Sequence, residues 1–145
     1  MAETVDEASL AKTAFIATAI AILDVLVVFG IARLLDQSFI VRSEFGSGSA
    51  SELQVWVVAG ATALGGIVGL ILAVVSKRFG AQATMVFLAF SLLGLVAYGI
   101  LAFIRADATS TALWLNALHL VAAFPIVGLL ANELNRRAAS LQGGE

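Results

Sequence analysis

Residues 13–35 read TAFIATAIAILDVLVVFGIARLL, an apolar run of 23 residues with one acidic residue, Asp24, at its centre. About 20 apolar residues in a helix cross a ~30 Å hydrocarbon core, so this run predicts a transmembrane helix. A carboxyl group at the bilayer midplane costs roughly 2.5–3.5 kcal/mol on insertion scales, and such groups usually have a function. The run therefore predicts both the class of the fold and a first candidate site.

Three further apolar runs predict helices over residues 53–75, 83–104 and 112–131. Together the four runs predict one all-α domain over residues 1–145. We expect an integral membrane four-helix bundle, antiparallel in up-down-up-down order, with both termini on the same side. Residues 36–52 form the longest predicted loop, and residues 132–141 are predicted to continue the last helix into the cytoplasm.

The predicted start of the second helix rests on the motif Ser51-Glu52-Leu53-Gln54. A serine followed three residues later by glutamate or glutamine, just before an apolar run, is typical of a helix capping box. In that arrangement the Ser51 side chain would accept a hydrogen bond from the backbone of the first turn.

Composition narrows the class of protein further. The chain is 61% hydrophobic and 12% charged, whereas soluble domains have about 25% charged residues. Its net charge of −2 gives no basic surface for nucleic acid, so we expect no nucleic-acid partner. The absence of cysteine excludes disulfides, thiolate chemistry and cysteine-ligated metals.

The distribution of basic residues predicts the orientation in the membrane. Cytoplasmic loops carry an excess of lysine and arginine. Five basic residues fall on the side of the termini and three on the other, so both termini are predicted to be cytoplasmic in a multi-pass protein of the bacterial inner (cell) membrane. The five are Lys12, Lys77, Arg78, Arg136 and Arg137, and the three are Arg33, Arg42 and Arg105.

The second helix carries small residues four apart, at Ala61, Gly65, Gly69 and Ala73. Small residues let the backbones of membrane helices approach closely. Such close packing drives helix association in a membrane, because lipid tails are as apolar as the side chains and the hydrophobic effect does not. We expect this stripe to pack inside the bundle, with a homodimer face as the alternative. Pro125 is predicted to bend the fourth helix, because proline removes one backbone hydrogen bond.

Five polar residues fall near the middle of the predicted spans. With a rise of ~1.5 Å per residue, Asp24 lies about 16 Å deep, His119 about 19 Å, Tyr98 about 22 Å and Ser91 about 12 Å. Asn116 lies about one turn beyond His119. Because buried polar groups need partners, we expect these side chains to face one another as a midplane polar cluster.

The cluster allows two interpretations. A carboxylate and an imidazole in a low dielectric can exchange a proton, as in pumps and transporters. Alternatively, a hydrogen-bonded Asp24 holds the helices together without further function. The composition predicts no metal and no cofactor, because Asp24 and His119 supply two ligands where zinc sites take three or four from protein. No catalytic residue is predicted, since Ser91 has no neighbouring base and no nucleophile motif.

Two stretches resemble a known family. The stretches are Ser91-Leu92-Leu93-Gly94, and Leu118-His119-Leu120-Val121 followed by Pro125 and Gly128-Leu129. They are similar to an uncharacterised group of small bacterial, mostly actinobacterial, membrane proteins with four predicted helices. The resemblance covers about residues 15–132 and includes the small, threonine-rich loop from Ala108 to Ala112 and the stretch from Ala73 to Arg78. Leu95 stands where the family often has proline, and Asp24 is not a feature of the family. The resemblance implies a helical fold and a membrane protein, but it implies no activity.

Three functions remain open from the sequence. The first is a small non-enzymatic membrane protein that acts as an accessory or assembly subunit. The second is a small proton-coupled transporter or channel element using Asp24 and His119. The third is a membrane enzyme acting on a lipid or quinone. Expected partners are the lipid bilayer and either further copies of the chain or a larger membrane complex.

Overall fold

A computed structural model describes the backbone of residues 2–42 and 49–142, and the side chains of residues 8–42 and 49–140. Its helices are α1 (Ala2–Leu34), α2 (Val55–Ser76), α3 (Ala83–Arg105) and α4 (Thr109–Gln142), with a short 3-10 helix at Lys77–Gln82. Two short strands, β1 (Ile40–Arg42) and β2 (Ala50–Glu52), lie in the first loop. The fold is therefore all-α apart from this strand pair. Residues 43–48 of the predicted loop lie outside the described residues.

Within the described ranges, three helical stretches are long and apolar enough to cross a membrane, namely Ala8–Leu34, Val55–Arg105 and Thr109–Ser140. These stretches indicate a membrane protein. The sequence predicts four such stretches, and the number differs because α2 and α3 follow one another through the 3-10 helix as one helical stretch.

The first helix ends at a turn that fits its sequence. Asp36 has a φ of +56°, a left-handed conformation that aspartate tolerates better than most residues. The Gln37 N–H donates to the Ala32 carbonyl at 3.0 Å, and the Asp36 N–H donates to the Arg33 carbonyl at 3.2 Å. This pair of bonds is the Schellman motif, which satisfies the last carbonyls of α1 and turns the chain away from the helix axis.

Between α2 and α3 the backbone departs from helical geometry at Gly80. This residue has φ +55° and ψ −123°, a combination that side chains disfavour and glycine adopts readily. Ser76, the last residue of α2, is buried, and Ala83, the first residue of α3, is buried as well. The turn therefore holds both helix ends against the rest of the molecule.

The core consists of two apolar clusters at opposite ends of the helices. In α1 the buried residues recur every three or four positions, so one face of the helix points inward. Helix α4 packs against both α1 and α3, and α2 packs mainly against α1. One cluster includes Leu10, Ala14, Ala17, Ala21, Phe87, Ile126 and Leu130, and the other includes Val25, Phe29, Phe39, Val58, Ala102 and Leu118.

The strand pair forms a cap at the end of the second cluster. The strands are antiparallel, with Val41 opposite Ser51, and Val41 also bridges to Ala106 beyond α3. Phe39, just before β1, is 0% exposed and stacks on Phe29 with ring centroids 4.8 Å apart. The cap thus joins the α1–α2 connection to the α3–α4 connection.

The predicted capping box is wrong. Ser51 and Glu52 lie in β2, and α2 begins at Val55 with Gln54 as a cap residue that makes no side-chain cap hydrogen bond. Pairing with β1 occupies the backbone at Ser51, so α2 begins three residues later than the motif implies.

Candidate functional site

Two of the predicted polar residues meet where α3 packs on α4. The rings of Tyr98 and His119 stack with centroids 5.4 Å apart and an interplanar angle of 27°. His119 Nδ1 lies 2.6 Å from the Leu115 carbonyl oxygen, one turn earlier in α4. Because a carbonyl only accepts, this bond places a ring hydrogen on Nδ1. His119 is half-buried, whereas Tyr98 is 59% exposed.

Asn116 lies on the same interface, one turn before His119. Its Nδ2 donates to the Ala112 carbonyl at 2.9 Å and to the Gly99 carbonyl of α3 at 3.4 Å. A Cβ at Gly99 would lie 2.8 Å from Asn116 Oδ1, closer than packed atoms come. The glycine therefore allows the Asn116 amide to reach the backbone of α3.

Asp24 does not join this group, and the prediction of a buried aspartate is wrong. Asp24 is exposed on the outer side of α1, and it makes no hydrogen bond or ion pair within the described residues. The reason is the rotation of α1, whose inward face is set by the alanines at positions 14, 17 and 21 and by Val25. On the helical wheel Asp24 lies about 100° from Val25 and about 20° from Ala17, at the margin of the inward face, where its side chain is exposed.

Ser91 is half-buried on α3, about two turns from Tyr98. The structure thus brings together Tyr98, His119 and Asn116, with Ser91 further along α3 and Asp24 on the outside of α1. Pro125 lies inside α4, which continues as a helix beyond the proline to Gln142.

The packing stripe of α2 is displaced by one residue over its first half. The buried face runs through Thr62, Gly66, Gly69 and Ala73, whereas the predicted residues Ala61 and Gly65 are exposed. A Cβ at Gly66 would overlap Thr18 of α1, and one at Gly69 would lie 2.8 Å from Ile126 Cγ2 of α4. Apart from the adjacent residues and the backbone of α2 itself, no described atom lies within 4 Å of the position that a Cβ would take at Gly65.

Polar groups that the sequence reasoning missed lie at both ends of the helices. At the cap, Arg33 pairs with Glu52, and Arg42 Nη2 lies 3.0 Å from Asp107 Oδ1. Each pair joins segments that are distant in sequence. The charges of the four residues do not by themselves indicate which acid pairs with which arginine. All four side chains are 41–54% exposed, so each pair is worth about 0–1 kcal/mol and serves to position the cap.

At the opposite end, Glu133 joins α4 to α1. Its Oε1 accepts a hydrogen bond from Ser9 Oγ at 2.8 Å and from Arg137 Nη2 at 3.0 Å. The Glu133 side chain is 13% exposed, more enclosed than the acids of the cap. The spacing of Glu133 and Arg137 by four residues is the helical signal that could have identified this pair.

The described residues hold no group of three histidine, aspartate or glutamate side chains that could bind a metal ion. Chemically, the α3–α4 contact offers an imidazole ring stacked on an exposed phenol ring. The bonds of His119 and Asn116 otherwise end on backbone carbonyls of α3 and α4. Only the bond from Asn116 to the Gly99 carbonyl joins two helices, since the other two lie within α4.

A comparison with protein families matches residues 5–136 to a family of unknown function, DUF6069. No curated protein and no solved structure matches the chain. The predicted resemblance to an uncharacterised family is confirmed, and since the match covers most of the chain, this protein belongs to the DUF6069 family.

Proposed function

We propose that this protein is a non-enzymatic integral membrane protein that crosses the bilayer four times and serves as an assembly subunit. Length supports four crossings. The stretch Val55–Arg105 has 51 residues, which as a straight helix would be about 77 Å long. That is more than twice the ~30 Å hydrocarbon core, so a fold-back at Gly80 gives two crossings of ordinary length.

Contacts between the helices support an antiparallel up-down-up-down order. Ser9 near the start of α1 bonds Glu133 near the end of α4, and Gln37 after α1 bonds Thr111 at the start of α4. Helices α1 and α4 therefore run in opposite directions. The Arg33–Glu52 pair gives the same relation for α1 and α2.

The excess of basic residues at the ends of the chain and in the turn at Lys77–Gln82 supports cytoplasmic termini. A fusion of a periplasm-activated reporter to the C-terminus tests this orientation. We expect no reporter activity there, and activity when the reporter is inserted at Ser49 in the cap loop.

The assembly role rests on one observation, the outward position of Asp24. The inner polar side chains bond to backbone of their own bundle, whereas Asp24 faces outward from the middle of an apolar helix. Lipid tails offer a carboxyl group no hydrogen bond, so an outward Asp24 at mid-depth calls for a protein partner in the membrane. A transporter built on Asp24 and His119 would need the two side chains in one cavity. His119 lies against Tyr98 of α3, whereas Asp24 is exposed on α1.

The experiment measures the mass of complexes in native membranes. The chain is extracted into polymer-bounded nanodiscs without detergent, as wild type, as Asp24→Leu and as Leu64→Ala. Leu64 is an exposed apolar residue of α2 and serves as the control. We expect wild type and control to run as a complex larger than one chain, and Asp24→Leu to run as a single chain. A wild-type protein that is monomeric throughout would refute the assembly role.

A further inference from the structure

A cavity of about 370 Å³ lies between the end of α1 and the start of α2, beside the strand pair. We call it the end cavity. Proteins bind small molecules in cavities of about 300–1,000 Å³, so its volume suffices for a small ligand or for one end of a larger one. The residues that line it come from α1, β2 and the start of α2, and they are Phe29, Arg33, Glu52, Leu53, Gln54 and Val55.

The inner wall of the end cavity is apolar and belongs to the core. Phe29 is buried and stacks on Phe39, and Leu53 is half-buried against the same cluster. The Leu53 N–H donates to the Phe39 carbonyl at 2.8 Å, which fixes the backbone at this point. This wall is therefore formed by the fold itself, as in most ligand sites.

Three polar side chains complete the end cavity, and the bonds that they make leave hydrogen-bonding groups over. Arg33 Nη1 donates to Glu52 Oε1, and Gln54 Oε1 accepts from Trp56 Nε1. Within the described residues, the other N–H groups of Arg33, Glu52 Oε2 and the Gln54 amide nitrogen make no further bond. The Arg33 and Glu52 side chains are 43% and 54% exposed, so a ligand can reach both charges.

The end cavity lies where α1 and α2 leave the apolar part of the membrane. Arg33 is in the last turn of α1, and Trp56, in the first turn of α2, is 67% exposed. Tryptophan is enriched at the level of the lipid headgroups, and arginine near a helix end extends to the same level. Leu34 and Val55 expose apolar surface beside the cavity. Phospholipids are therefore the molecules that surround its opening.

A phospholipid headgroup with a primary ammonium group matches the polar groups of the end cavity. A phosphate only accepts hydrogen bonds, and the planar fork of an arginine such as Arg33 fits phosphate oxygens. A primary ammonium group only donates, so it suits the remaining oxygen of Glu52. A choline headgroup has no N–H to donate, and a glycerol headgroup has no positive charge for the carboxylate. Ethanolamine supplies both.

We propose that the end cavity binds the headgroup of phosphatidylethanolamine, with the phosphate on Arg33 and Gln54 and the ammonium group on Glu52. The lipid comes from the leaflet opposite the termini, and its acyl chains follow the exposed apolar surface of α1 and α2. The inference rests on the bilayer crossings proposed above and is independent of the assembly role.

Native mass spectrometry tests the site, with the protein in detergent and an equimolar mixture of phosphatidylethanolamine, phosphatidylglycerol and phosphatidylcholine. We expect wild type to retain phosphatidylethanolamine in preference to the other two lipids. Arg33→Gln should weaken this binding about tenfold, the effect of losing one charge-assisted hydrogen bond. Arg42→Gln is the matched control, because Arg42 also pairs with an acid at the cap but does not line the end cavity. The control should bind as wild type does.

A second variant, Glu52→Gln, separates lipid binding from a structural role of the ion pair. It breaks the same pair as Arg33→Gln, so a purely structural pair predicts the same result for both variants. The proposal predicts different results. Glu52→Gln keeps the arginine for the phosphate but loses the carboxylate for the ammonium group. We expect it to retain phosphatidylglycerol as well as phosphatidylethanolamine, whereas Arg33→Gln retains both weakly.

Four results would overturn the lipid site. The first is equal retention of the three lipids by wild type, and the second is an equal effect of Arg33→Gln and Arg42→Gln. The third is an unchanged lipid preference in Glu52→Gln. The fourth is binding of soluble glycerophosphoethanolamine as tight as that of the lipid, since the occupant would then be a free phosphate ester. Each leaves the assembly role standing, because that role is measured by the mass of complexes and depends on Asp24.

Discussion

Adjacent glycines of α2 give a sharp prediction, because only one of them lies against another helix. A methyl group at Gly66 would overlap Thr18 Oγ1 and would lie 2.7 Å from Thr18 Cγ2 and 2.9 Å from Thr18 Cβ. Rotation of the Thr18 side chain cannot relieve the contact with its own Cβ. Rotation would also break the 2.7 Å hydrogen bond from Thr18 Oγ1 to the Ala14 carbonyl. Helices α1 and α2 must therefore separate slightly to accept Gly66→Ala.

The expected magnitude follows from comparing Gly66→Ala with Gly65→Ala. Both replace glycine by alanine in a helix, which favours the folded state by up to about 1 kcal/mol. Overpacking of a closed contact costs about 1–3 kcal/mol. Because the helix contribution is common to both variants, we expect Gly66→Ala to be about 1–3 kcal/mol less stable than Gly65→Ala. That is a factor of about 5 to 150 in the folding equilibrium.

The assay is reversible unfolding in mixed micelles, with the free energy of unfolding measured by titration with a denaturing detergent. Thr18→Ala removes Oγ1 and Cγ2 but keeps Cβ, so adding it to Gly66→Ala should recover part of the loss. Equal free energies of unfolding for Gly65→Ala and Gly66→Ala would refute the assignment of the α1–α2 contact face.

Three further predictions use the same measurement. Gly99→Ala should be less stable than Gly94→Ala by up to about 1–3 kcal/mol, because the new methyl group would lie 2.8 Å from Asn116 Oδ1 and displace that amide. Equal stabilities would contradict the close α3–α4 approach. Phe39→Ala should lower the free energy of unfolding by about 3–5 kcal/mol, because it empties a fully buried site. The control Phe79→Ala, at a residue 53% exposed, should lower it by less than about 1 kcal/mol. A small loss for Phe39→Ala would mean that the cap is not packed. Arg33→Ala should change stability by no more than about 1 kcal/mol, since its ion pair is exposed, and a larger loss would show that the pair does more than position the cap.

The helices could be predicted because their signal is long. An apolar run of some 20 residues leaves few alternatives to a membrane helix, and the predicted span 83–104 compares with Ala83–Arg105 in the structure. The strands could not be predicted in the same way. Each has only three residues, and its backbone is fixed by a partner strand rather than by its own sequence.

Rotation of a helix about its axis was harder to predict than its bounds along the sequence. Small residues of α2 occupy two adjacent stripes that share Gly69 and Ala73, and only contact with Thr18 and Ile126 shows which stripe is buried. For α1 the signal was present in the sequence. Alanines at positions 14, 17 and 21 mark the close-packed face, and Asp24 falls beside that face rather than on it.

The cap has a consequence for how the chain is made. Strand β1 can pair with β2 once the first loop exists, but its bridge from Val41 to Ala106 and the bond from the Asp107 N–H to the Ile40 carbonyl need residues that follow α3. These contacts can close only after α3 has been synthesised and has returned to the same end as β1. Closure of the cap is thus a late event in biogenesis. Slow hydrogen exchange at the Asp107 amide would report, from a single position, that the cap has closed.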